Sequence, residues 1–179
     1  MEQNLEQLKY PIGRFQRPEQ YSSQTIQKAI AIIEAVPSWL DVCIENLDRV
    51  HLETPYRPDG WTIEQVVHHM ADSHINAYVR LKLALTEDGP VINPYNENLW
   101  AQLPDVKNVP VNVSVTLLHA LHRRWVSILN NMQPSDWERT YYHPDQQRYV
   151  PLWEMTELYA WHGRHHVEHI VNLRRRMNW

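Results

Sequence analysis

A chain of 179 residues can bury a core of its own without disulfide or metal staples, so one domain spanning residues 1–179 is expected. A net charge of −4 gives no general attraction to nucleic acid or to an anionic membrane surface. No apolar run approaches the roughly 20 residues of a membrane span, and the single Cys43 excludes an intramolecular disulfide.

The N-terminal stretch MEQNLEQLKYPIG has neither the basic nor the apolar region of a secretory leader, which points to a reducing cytoplasm. From Ser22 to about Leu47 apolar residues recur at helical spacing (Ile26, Ala29, Ile30, Ile33, Leu40, Ile44), with Ser22 or Ser23 as cap. Pro37 is expected to kink or divide this helix. A second helix opens at Thr62, where Thr62-Ile63-Glu64-Gln65 fits a capping box, and its stripe from Ile63 to Leu85 ends before Asp88-Gly89-Pro90.

A connection of about 25 residues, Glu87 to Val113, follows; its Tyr95 and Trp100 favour order. A third helix begins near Ser114 and carries Leu118, Leu121, Trp125 and Leu129 inward. Thr140 to Val150 reads as irregular, and a fourth helix runs from Pro151 to Met177. Four long amphipathic helices without a strand series specify an all-α four-helix bundle with long ordered connections.

The fourth helix contains WHGRHHVEHIVNLRRR, Trp161 to Arg176, with His162, His165, His166 and His169. On a helical wheel His162, His166 and His169 share the stripe of Met155, Leu158, Tyr159, Ile170 and Leu173, while His165 lies at its edge. Residues i and i+4 stand one above the other, so His162 and His166 can each offer a ring nitrogen to one cation. Three inward histidines are costly to bury without a common partner. A metal removes that cost; a hydrogen-bonded polar core and a pH switch are the other readings. His165-His166-Val167-Glu168-His169 also matches the inverted zincin pattern H-x-x-E-H, although Glu168 projects from the polar side.

A third ligand must come from elsewhere, and the second helix supplies His68, His69 and His74 in VVHHMADSH. His74 is the most central on the apolar stripe, His69 lies at one flank near Ser73 and Asn76, and His68 lies on the far, surface side with Asp72. His122 faces the core beside Trp125 and reads as structural.

The segments YPIGRF (10–15), TPYRPDGWTIEQVVHHMADSHINAYVRLKLALTE (54–87), LHRRW (121–125), YHPD (142–145) and YAWHGRHHVEHI (159–170) together resemble the YfiT group of metal-dependent hydrolases within the DinB-like superfamily. The resemblance implies a four-helix bundle holding one divalent metal per chain on His69, His162 and His166. It therefore selects His69 where periodicity selects His74. His169 stands where many DinB-like proteins have glutamine, which adds a possible fourth ligand or substrate contact. Homodimerisation is likewise implied only by the resemblance.

Three neutral imidazoles leave a divalent ion its full charge and an open position at which water is activated for attack on a carbonyl or phosphoryl centre. This favours a hydrolase of a small-molecule substrate, with Glu97, Asp72 and Tyr95 as compositional candidates for the base. Transfer of a low-molecular-weight thiol through the same metal is one alternative, as some DinB-like relatives resemble S-transferases. A non-catalytic metal-binding stress protein is another. Cys43 reads as a small buried residue. Zinc is the expected metal and nickel the next; Glu154, Asp72 or a backbone carbonyl is expected to fix the ring tautomers.

Overall fold

Periodicity and caps become helices closely where expected in the computed structural model, which describes residues 5–179. The first four residues of the stretch read for a leader lie outside the described residues. In chain order the helices are α1 (Leu5–Lys9), α2 (Ser23–Ile44), α3 (Arg49–Leu52), α4 (Ile63–Thr86), α5 (Glu97–Trp100), α6 (Pro104–Asn108), α7 (Val111–Leu129) and α8 (Leu152–Met177). No helix among the described residues is long and apolar enough to cross a membrane.

The Ser22 hydroxyl caps α2 by accepting from the Thr25 N–H, and the Thr62/Gln65 capping box closes the first turn of α4. Gln65 also donates from Nε2 to the Ala101 carbonyl at 2.9 Å, tying the long connection to the start of α4. That connection is ordered by α5 and α6, capped in part by Asn96.

Three expectations change. Pro37 does not divide α2, which runs through it with Val36 and Pro37 both buried; the cost of a proline is one helical hydrogen bond, at the Ile33 carbonyl. The third helix starts at Val111, three residues early, because Pro110 already supplies the extended N-cap. The stretch read as irregular is a hairpin, β1 (Thr140–His143) paired antiparallel with β2 (Arg148–Pro151) in the register Thr140↔Pro151. Tyr141 and Val150 face the core from opposite strands, and Gln147, at φ 50°, closes the turn. Pro151 ends this strand and caps α8 from outside it.

The long helices form a four-helix bundle. Helix α2 packs against α7 and α8, and α4 packs against the same two. The order around the bundle is therefore α2, α7, α4, α8, so that α2 faces α4, and α7 faces α8, across the diagonals. Gly163 allows the α2–α8 approach: a Cβ there would lie 2.6 Å from Val36 Cγ2. Two apolar clusters fill the bundle. One surrounds Leu81, Trp125 and Met155, the other Met70, Leu118 and Ile170. Between them, on α4, α7 and α8, lies a layer of histidines.

Candidate metal centre

Because α4 and α8 are neighbours, His69 meets the i, i+4 pair of α8. Ring-nitrogen donors of His69, His162 and His166 lie within 4.8 Å of one another. Nε2 of His69 is 3.2 Å from Nε2 of His162, and the His162 and His166 ring centroids are 4.5 Å apart. His69 and His166 are buried and His162 partly so. Burial disfavours the charged ring: it brings His69 down to about 4 and holds His162 and His166 well below 6.5. For His162 and His166 the neighbouring imidazoles add to this. All three rings are therefore neutral at pH 7, the form in which imidazole ligates a metal.

A chain of hydrogen bonds sets the proton on one of them. Proline at position 37 offers no N–H to the Ile33 carbonyl, which instead accepts from His122 Nδ1 at 2.5 Å. In a neutral ring this leaves His122 Nε2 as an acceptor. It takes the proton of His74 Nδ1 at 2.7 Å, and His74 Nε2 in turn accepts from His162 Nδ1 at 3.1 Å. His162 is thus left with its lone pair on Nε2, the atom facing His69. A single proton or a single cation suffices to join those two nitrogens.

The relay also gives the histidines of α4 different surroundings. His74, fully buried, has both ring nitrogens engaged and belongs behind His162. His122 is structural as read, but as the link to Ile33. His68 is not on the surface: it is buried, with Nδ1 2.8 Å from the Ser114 hydroxyl and Nε2 3.1 Å from the Val109 carbonyl, where it pins the start of α7. The wheel placed it correctly relative to α4 but had no means of knowing that α7 covers that side. Glu154 is likewise no partner of a histidine, since it binds Arg148 at 2.5 and 2.9 Å and Arg17 at 3.2 Å.

His169 and His165 face the N-terminal segment. His169 Nε2 donates to the Lys9 carbonyl at 3.1 Å and its ring stacks on Tyr56, while His165 stacks on Trp161, whose Nε1 donates to the Gly13 carbonyl. These contacts strap YPIGRF across α8. His165, His166 and His169 also form a second group with donors within 4.8 Å, and each has a buried Nδ1 without a partner. Glu168 lies away from the three-histidine centre, lining a separate groove of about 1100 Å3 with Trp39 and Val42 on the α2–α8 face, which removes the inverted zincin arrangement. Cys43 lines the same groove; burial pushes its thiol up to about 12, so it is not a thiolate at neutral pH.

The three histidines open into a cavity of about 440 Å3 lined also by Trp61, Arg80, Tyr95, Glu97, His143 and Asp145. Trp61 packs on His69 with centroids 4.6 Å apart. Of the compositional candidates for a base, Glu97 and Tyr95 reach this cavity. Asp72, pushed up to about 6 by burial, is not on its lining. Burial also raises Tyr95 to about 12, so its phenol keeps its proton. Arg80, His143 and Asp145 were missed by sequence reasoning. For Arg80 a signal existed: His69, Ser73, Asn76 and Arg80 recur at helical spacing along one flank of α4.

Residues 16–170 match the DinB superfamily. A protein of Bacillus mycoides named "Putative metal-dependent hydrolase" is 49% identical over 175 residues, covering 98% of this chain and all of that protein. A Bacillus anthracis protein of the same name matches to the same extent. The solved structure of YfiT from Bacillus subtilis, described as "a probable metal-dependent hydrolase with an unusual four-helix bundle topology", superposes with a TM-score of 0.94 at 43% identity and covers 97% of this chain and 99% of that one. With the same bundle, and with identity spread over nearly its whole length, the chain belongs to the DinB superfamily.

Proposed function

We propose that the chain is a metal-dependent hydrolase of a small-molecule substrate, with one divalent ion, zinc or secondarily nickel, held by His69, His162 and His166. The observation that carries the reading is the meeting of three neutral imidazoles at a polar cavity. The donor set fits such an ion: three nitrogens from two adjacent helices, one with its lone pair set by the relay, are a normal arrangement for zinc with a position left open. An ion bound there supplies Lewis acidity and a water made acidic enough to react near neutral pH.

The chain's own groups do the rest. His74 and His122 hold the His162 ring in one tautomer and orientation. Trp61 shields one face of His69 from solvent. Tyr95 lines the cavity with its phenol protonated, and Glu97 and Asp145 are the carboxylates available there as proton acceptors. The names carried by the relatives support the same reading.

A panel of carboxylic esters, amides and phosphoesters, offered to zinc-loaded protein, tests it. Saturable product release is expected, lost in a folded His166→Ala variant. Adduct formation that requires an added low-molecular-weight thiol would replace hydrolysis by S-transfer, and no turnover of either kind would leave a metal-binding protein.

A further inference from the structure

Arg80 is only 8% exposed, yet it lines the cavity. Its guanidinium has no hydrogen bond and no carboxylate within ion-pair distance among the described residues. Other partly buried arginines are satisfied: Arg139 donates to the Ala84 and Glu87 carbonyls, Arg148 to the Glu154 carboxylate, Arg174 to the Cys43 and Glu45 carbonyls. His143 also lines the cavity, and its buried Nδ1 has no partner. The two carboxylates on the lining, Glu97 and Asp145, are exposed residues at its rim. None of its nitrogens is among the sealed, unpartnered atoms, so the guanidinium presents open donors to the cavity with no carboxylate paired to it. The planar fork of an arginine is suited to receiving an oxyanion.

We infer that the cavity takes a substrate bearing an oxyanion, a carboxylate or a phosphate, which seats on the Arg80 guanidinium beside His143 while the bond to be cleaved lies at the three histidines. Arg80 follows His69 by eleven residues on the same face of α4, about 16 Å of helix rise. Its side chain leans back toward the N-terminus of the helix and so toward the histidines. Both line one cavity, so the anion and the scissile bond are different parts of one molecule that reaches from Arg80 to the histidines. The inference rests on the hydrolase reading only for what happens at the histidines; the anion site can be tested without turnover.

The probes are succinate and inorganic phosphate, titrated into metal-free protein, so that the ion cannot be the receptor. Binding is followed by calorimetry and by the Nε–H resonance of Arg80. The expected result is saturable binding of at least one probe with a shift of that resonance, weakened about tenfold or more in Arg80→Met and partly kept in Arg80→Lys. A preference for succinate identifies carboxylate substrates and one for phosphate identifies phosphorylated ones. If neither probe binds, or if both bind Arg80→Met as well as wild type, the inference is overturned. If Arg80→Met does not fold, the resonance shift in the wild type decides. Failure of the ester panel leaves this result standing, and the reverse also holds.

Discussion

Replacing His74 tests the relay most sharply, because His74 touches His162 but has no nitrogen free for a metal. His74→Leu keeps similar volume and removes the acceptor for the His162 Nδ1–H. A neutral hydrogen bond contributes about 1 kcal/mol and one to a charged group about 1.5–3 kcal/mol. When a cation binds Nε2, the imidazole acquires positive character and the bond to His74 passes from the first class toward the second. The difference, about 1–1.5 kcal/mol, corresponds to roughly a tenfold loss of metal affinity, at the lower end of the 10–100-fold typical of residues that orient ligands.

Two buried groups, His162 Nδ1–H and His122 Nε2, also lose their partners, so the fold itself should lose about 2–4 kcal/mol. His74→Gln can accept from His162 and donate to His122, and should recover most of the affinity. Zinc titration against a competing chelator measures the affinities, and circular dichroism selects folded samples. An unchanged zinc affinity in folded His74→Leu would refute the reasoning, as would a variant that holds no zinc at all, since that would make His74 a ligand.

Gly163→Ala should destabilise the protein by about 1–2 kcal/mol, the overpacking cost against Val36 less the gain in helix propensity. Val36→Ala in the same chain should restore most of it; thermal unfolding reads both, and an unperturbed single variant would contradict the close approach. The pH dependence has a defined sign. Burial holds His122 at about 4, below its ordinary 6.5, so the unfolded chain binds more protons between those values, and stability is full above pH 6.5 and lost as pH falls toward 4. At pH 5.5 this ring alone costs about 1.4 kcal/mol. Urea unfolding of metal-free protein at pH 7.5 and 5.5 checks it, and equal midpoints would contradict a neutral buried relay.

Much of this was legible in the sequence because it is local. The 3.6-residue period located the four long helices, the Thr62 capping box fixed the start of α4, and the i, i+4 spacing paired His162 with His166. The rest depends on which helices are neighbours. The wheel ranks His74 above His69 by centrality, but a ligand in a cleft between helices belongs at the flank, and only the resemblance favoured His69. His68 was misplaced because α7 covers a face that the α4 pattern shows as polar. Pro37 was visible as a missing N–H; that the freed Ile33 carbonyl receives His122 from α7 required the α2–α7 packing. The hairpin was hidden in a short polar stretch, where four-residue strands carry too little alternation to stand out.

The central claim is that His69, His162 and His166 share one ion, and the most direct measurement is metal content by elemental mass spectrometry of untagged protein after zinc reconstitution. About one zinc per chain is expected in the wild type and in folded His165→Ala, and none in folded His69→Ala, His162→Ala or His166→Ala. Zinc lost in His165→Ala but kept in His69→Ala would move the ion to the second histidine group and contradict the account.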